Sequence, residues 1–159
     1  MEPLSVFRKA AFFVHAIGTT MVFCVFSAGV VLLLMLSSHY REAIIFFVSF
    51  SVMFLVVVIL KNVTHVERPK ERLVNEVGGS FPSGHAAATA FLAIMMPFLA
   101  SQIFGERYVL GITLLFLTLA SIVSASRLLL RVHTMYQIAA GLMIGALVPM
   151  IVIIISIFF

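Results

Sequence analysis

The sequence predicts an all-α bundle embedded in a membrane, and three observations carry that prediction. Of its 159 residues, 63% are hydrophobic and only 10% are charged, against about 45–50% and 25% in water-soluble domains. Five apolar segments are each long enough to cross a hydrocarbon core, which takes about 20 helical residues. No stretch alternates polar and apolar residues as a barrel strand would, and a helix pairs its backbone polar groups within its own segment. A single domain over residues 1–159 is expected, because the length leaves no room for a second.

The segments run 10–36, 43–60, 86–104, 108–126 and 134–159. The first is broken only by His15, and the basic start ahead of it, Arg8-Lys9, resembles that of a signal peptide. The apolar run behind it exceeds the roughly 7–15 residues of a signal's core, and no Ala-x-Ala cleavage site follows cleanly, so a retained helix is expected. Cys24, the sole cysteine, lies within this run and reads as a small buried hydrophobe. Pro97 should kink the third span. Gly141-x-x-x-Gly145 should let the last span pack closely inside the bundle. The Met residues read as packing.

Connections are short except for 61–85, which carries Lys61, Arg68, Lys70, Arg72 and three Glu. A short surface helix is expected there, ending at Gly78-Gly79. Counting crossings puts Lys61, Arg68, Ser83, His85, Arg127 and His133 on one side of the membrane, with the N-terminus. The other two loops and the C-terminus lie opposite.

Three clusters on that side carry chemistry. Lys61 and Arg68, followed by the rigid Pro69, offer a compact charge and a planar fork to an anion with several oxygens; solvated headgroup contacts are the plainer reading. Phe81-Pro82-Ser83-Gly84-His85 stands where a span begins, and a helix N-terminus favours anions; an ordinary Ser N-cap is the alternative. Ser126-Arg127 and His133 close the set, with Gln137 one helical turn beyond His133. Taken singly each is ambiguous. Together they gather two His, one Lys, two Arg and a Ser-Gly turn from a chain with few charges, and a phosphate-transfer site accounts for all of them. A Mg²⁺ site would want carboxylates, whereas Asp is absent and the Glu residues look scattered. Covalent catalysis by His fits better. The net charge of +4 also suits an anionic lipid or phosphate partner.

These residues also resemble the signature of a known family, the type 2 phosphatidic acid phosphatase superfamily of membrane lipid phosphatases. Lys61-x6-Arg68-Pro69, Pro82-Ser83-Gly84-His85 and Ser126-Arg127-x5-His133 match its three pieces in order. The resemblance implies that His133 is the nucleophile that becomes a phosphohistidine and His85 the acid that protonates the leaving oxygen. It makes Lys61, Arg68, Ser83, Gly84 and Arg127 the phosphate cradle, and it implies no metal and no cofactor. The implied substrate is a membrane lipid phosphate: a polyprenyl diphosphate such as undecaprenyl diphosphate, lipid A 1-phosphate, phosphatidylglycerol phosphate or phosphatidic acid. Neither a nucleic-acid partner nor an obligate protein partner is expected.

One position departs from the family pattern. Gln137 stands where an Asp usually accepts a hydrogen bond from the nucleophile's ring. A Gln carbonyl can fix the tautomer but brings no negative charge. A working enzyme is the expectation, and a weak or inactive lipid-binding or transport protein the alternative. His15 and His39 read as structural, and His65 as a neighbour of the site. Eight of ten basic residues lie on the site's side, which by charge alone points to the cytoplasm. Several of those bases double as ligands, so that count is discounted. The expected setting is the bacterial inner (cytoplasmic) membrane, with the site facing the periplasm.

Overall fold

The computed structural model describes residues 3–17, 20–76 and 78–158, with the backbone alone for 3–6, 16–17 and 20. Its helices are α1 (Pro3–Ile17), α2 (Thr20–Leu36), α3 (Tyr40–Thr64), α4 (Gly84–Phe104), α5 (Val109–Leu129) and α6 (Met135–Phe158), with a 3-10 turn at Glu106–Tyr108. Helices α3, α4, α5 (with its 3-10 turn) and α6 are long and apolar enough to cross a membrane, while the apolar helix Met21–Leu36 is shorter. No strand occurs among the described residues. The protein is thus an all-α membrane bundle, as its composition predicts.

Helix α4 is the centre of the bundle: 56% of its span is buried, against 11% for α5. Its first half, Gly-His-Ala-Ala-Ala-Thr-Ala, is built from small residues that let neighbours come close. Helix α6 answers with glycine. A Cβ on Gly145 would stand 2.1 Å from the Ala87 carbonyl oxygen, and one on Gly141 would stand 2.4 Å from that of Ser83. The Gly-x-x-x-Gly pair therefore packs inside the bundle, against α4. On another side of α4, Phe46 and Phe50 of α3 meet Phe91 edge to face, with centroids 5.2 and 5.5 Å apart. Leu55, Leu110, Leu114 and Ile154 point outward as a lipid-facing surface would. At the end far from the signature residues, Arg41 donates to the Ser156 carbonyl at 2.8 Å, so the start of α3 and the end of α6 share that end.

Two expectations need correction. The run 10–36 is not one span but two helices, α1 and α2, with residues 18–19 outside the described set. Helix α1 packs along α5 while α2 packs on α3. The second correction concerns 61–85. Helix α3 continues to Thr64, holding Lys61 in its last turn, and His65 ends it in the left-handed conformation (φ 48°). The expected surface helix does not form; the described residues of 65–83 are turns and irregular chain. Backbone groups that a helix would pair internally bond across space instead. Leu73 N–H reaches the Leu130 carbonyl, and Ser80 N–H the Val66 carbonyl, both at 3.0 Å. Pro97 lies inside α4, which continues through it to Phe104.

Candidate active site

His133 sits in the short turn between α5 and α6 and is 3% exposed. Both ring nitrogens have partners of fixed character. Gln137 Oε1 lies 3.1 Å from His133 Nδ1, and the same oxygen accepts the Thr134 backbone N–H at 3.1 Å. A backbone N–H can only donate, so the Gln137 atom facing it is the oxygen, and His133 Nδ1 must carry the proton. From the other side, Arg68 Nη1 stands 3.3 Å from His133 Nε2. A guanidinium can only donate, so Nε2 keeps its lone pair. The two constraints agree: the imidazole is neutral, protonated on Nδ1, with Nε2 turned to the arginine. Burial first, and the Arg68 charge second, push the His133 pKa down to about 4, with the Gln137 hydrogen bond acting in the opposite direction.

Gln137 has a further task. Its Nε2 donates to Ser80 Oγ at 3.0 Å, and Ser80 Oγ itself bonds to the Val66 and Glu67 carbonyls, each at 2.8 Å. Its backbone carbonyl accepts the Ser83 N–H at 2.9 Å. One residue at the start of α6 thus joins the His133 turn, the 65–83 segment and the start of α4.

The other signature residues gather here. A cavity of about 480 Å³ is lined at its polar end by Lys61, Arg68, Gly84, His85 and His133. His85 lies in the first turn of α4, with its ring edge-on to Phe23 of α2, 6.2 Å between centroids. A Cβ on Gly84 would meet only Lys61 Cε and Val57 Cγ1, at 3.8 Å. Its glycine therefore leaves room in the cavity rather than serving packing. Ser83 precedes α4, but its hydroxyl makes no capping bond. Ser83 Oγ, Arg68 Nε and Arg127 Nη2 are buried without a hydrogen-bond partner among the described residues. Unpartnered buried donors of this kind suit an anion with several oxygens.

The profile of the PAP2 superfamily matches residues 41–158. The chain belongs to the PAP2 superfamily. Among solved structures it is similar to one titled as the first transmembrane PAP2 type phosphatidylglycerolphosphate phosphatase from Bacillus subtilis. The TM-score is 0.81 and the identity 20%, over all of this chain and 80% of that one. At that identity the likeness is one of fold. No curated protein matches the sequence.

Two residues of this PAP2 site escaped sequence reasoning. Glu76, taken for one of several scattered acids, bridges two arginines: Oε2 lies 2.6 Å from Arg68 Nη1 and Oε1 lies 3.0 Å from Arg127 Nη1. His15, expected to be structural, has its Nδ1 3.0 Å from Arg127 Nη1 and 3.4 Å from Glu76 Oε1. Burial, then the Arg127 charge, lower the His15 pKa, with Glu76 opposing. Sequence separation hid the Arg127 contacts of both residues; the one available signal for His15 was a titratable group interrupting an apolar run. Arg127 is fully buried behind this pair, and Lys61 Nζ is held at 2.8 Å by the Gly79 carbonyl. His65 is exposed at the end of α3, and His39 lies 3.8 Å from Glu42 at the far end.

Proposed function

We propose that the protein is a membrane lipid phosphatase working through a phosphohistidine on His133. The observation that carries this reading is the neutral His133 ring, with its proton fixed on Nδ1 and its Nε2 lone pair beside Arg68. In the first step Nε2 attacks phosphorus. An N–P bond forms, the P–O bond to the lipid breaks, and His85 gives the leaving oxygen a proton. In the second, the now neutral His85 takes a proton from water as its oxygen attacks phosphorus; the N–P bond breaks, inorganic phosphate leaves, His133 returns to its neutral form and His85 is protonated again. Lys61, Arg68, Arg127, Ser83 and the Gly84 N–H hold the equatorial oxygens; such charge stabilisation carries most of phosphoryl transfer. The reaction as proposed needs no metal.

The cavity also supports a lipid substrate. From its polar end it continues along Phe23 and Cys24 of α2 and Phe50, Met53, Phe54, Val57 and Val58 of α3. A tail entering sideways between α2 and α3 would keep its methylenes on this apolar wall while the phosphate reaches His133. Phosphate release from polyprenyl diphosphate, lipid A 1-phosphate, phosphatidylglycerol phosphate and phosphatidic acid, measured in detergent with a chelator, tests the reading. Turnover of at least one is expected; strict Mg²⁺ dependence, or no release from any, contradicts it. Binding without turnover, with activity appearing in Gln137→Asp, would instead identify a lipid-binding member. The proposed setting is the bacterial inner membrane with the site on the periplasmic side. An impermeant maleimide should then label Lys70→Cys in intact spheroplasts.

A further inference from the structure

The carboxylate of Glu76 binds the two arginines that the proposed reaction gives to the phosphate. One oxygen takes Arg68 at 2.6 Å and the other takes Arg127 at 3.0 Å. Two oxygens on one centre bridging two guanidinium groups is also how two oxygens of a phosphate would bind them. Glu76 and His15 line the same cavity as His133 and His85, whereas Arg127 is fully buried, does not line it, and is bonded to both. A ligand that is to use Arg127 must therefore displace Glu76 or share its partners.

We propose that Glu76 is a specificity-determining residue that shuts singly charged phosphodiester headgroups out of the cradle and yields to a terminal phosphate; the inference rests on the phosphatase reading of the site. Lys61, Arg68 and Arg127 bring three positive charges, and Glu76 removes one of them. A phosphodiester, the headgroup linkage of bulk bilayer lipids, carries one negative charge and two free oxygens. It offers the arginines no more than the carboxylate already does, and that carboxylate is tethered at high effective concentration. A phosphomonoester or terminal diphosphate brings about two charges and three free oxygens. The third oxygen can engage donors that Glu76 leaves idle: Arg68 Nε, Arg127 Nη2 and Ser83 Oγ. Only the more highly charged ligand gains by the exchange. The device matters in a membrane, where diester lipids outnumber any phosphomonoester substrate and a bare tricationic cradle would be occupied by them. Discrimination of this kind works by penalising the wrong ligand rather than by adding a contact to the right one.

Glu76→Gln keeps the shape and removes the charge. Turnover of the best lipid phosphate should be followed in mixed micelles as the mole fraction of phosphatidylglycerol, a phosphodiester, is raised. Wild type should be nearly insensitive. In Glu76→Gln the same lipid should become a competitive inhibitor, raising the apparent KM about tenfold, while kcat at zero phosphatidylglycerol stays within about threefold and orthovanadate binds more tightly. Glu76→Asp, which keeps the charge, should remain insensitive. If Glu76 merely positions the arginines, Glu76→Gln loses kcat and orthovanadate affinity with no new sensitivity to phosphatidylglycerol, and the proposal fails. A thermal melt with and without orthovanadate covers the case of a poorly folded variant. The proposal requires a larger stabilisation by orthovanadate in Glu76→Gln than in wild type, since the ligand then neutralises arginines left unpaired; an equal or smaller one overturns it. Wild-type protein that neither binds orthovanadate nor releases phosphate would overturn the phosphatase reading itself.

Discussion

At the scale of single residues, Gln137 anchors His133 with a neutral amide that has two faces, an acceptor and a donor. Its oxygen fixes the His133 tautomer, and its nitrogen holds Ser80, which a carboxylate cannot do while Ser80 gives its own proton to a carbonyl. Gln137→Leu should lower kcat about 10²- to 10⁴-fold, the range set by losing tautomer control. Ser80→Ala, which removes one supporting bond, should lower it only about three- to tenfold; rapid-mix turnover distinguishes the two. The pH behaviour follows from a lowered pKa. A His normally gains its proton near 6.5, whereas His133 stays neutral until the pH approaches about 4. The proposed nucleophile is therefore available through the mildly acidic range and lost only near that lower value. An NMR titration of the ring in the ligand-free protein should show its midpoint well below 6.5, and a midpoint between 6 and 7 would contradict the burial argument. That Lys61, Arg68, His85 and His133 meet at one end was legible in the sequence, because counting crossings puts their segments on the same side. Glu76 and His15 were not: Glu76 joins nearby Arg68 to Arg127, 51 residues on, and His15 meets both Glu76 and Arg127 only across the fold.

At the scale of elements, the crossing of α4 and α6 sets the distance between the two histidines, since α4 carries His85 and α6 carries Gln137. Gly145→Ala would drive a methyl to about the 2.1 Å already noted from the Ala87 carbonyl, so the helices must part. We expect a loss of about 1–3 kcal/mol, read as a lower melting temperature, together with reduced kcat. Gly111→Ala is the control: nothing lies within 4 Å of its Cβ position, and helix propensity alone should leave stability unchanged or slightly raised. The glycine spacing announced this crossing, because only close backbone approach explains two glycines one turn apart in so apolar a helix. The break between α1 and α2 was less visible. Hydropathy runs on from residue 10 to 36, and what sets the two helices apart is their tertiary partners. Ala11 is buried with Leu130 and Val132, and His15 with Arg127, so α1 is held to α5 instead of extending α2.

For the whole molecule, composition alone established a membrane bundle, and counting crossings placed the signature residues at one end. The apolar arm of the cavity forms only where α2 and α3 come together. If the lipid tail enters between them, Cys24→Trp should raise KM for a lipid phosphate about tenfold while leaving orthovanadate inhibition unchanged; equal losses of both would place entry elsewhere. The central claim is chemical, and trapping tests it most directly. Protein mixed with a lipid phosphate labelled in its phosphoryl group is quenched in alkali, where phosphohistidine survives, and mapped by mass spectrometry. The account predicts label on His133 Nε2 in wild type, accumulation of that label when His85 is replaced by Ala and a substrate with a good leaving group is used, and none in His133→Ala. Label on another residue, or undiminished phosphate release from a folded His133→Ala protein, would contradict it.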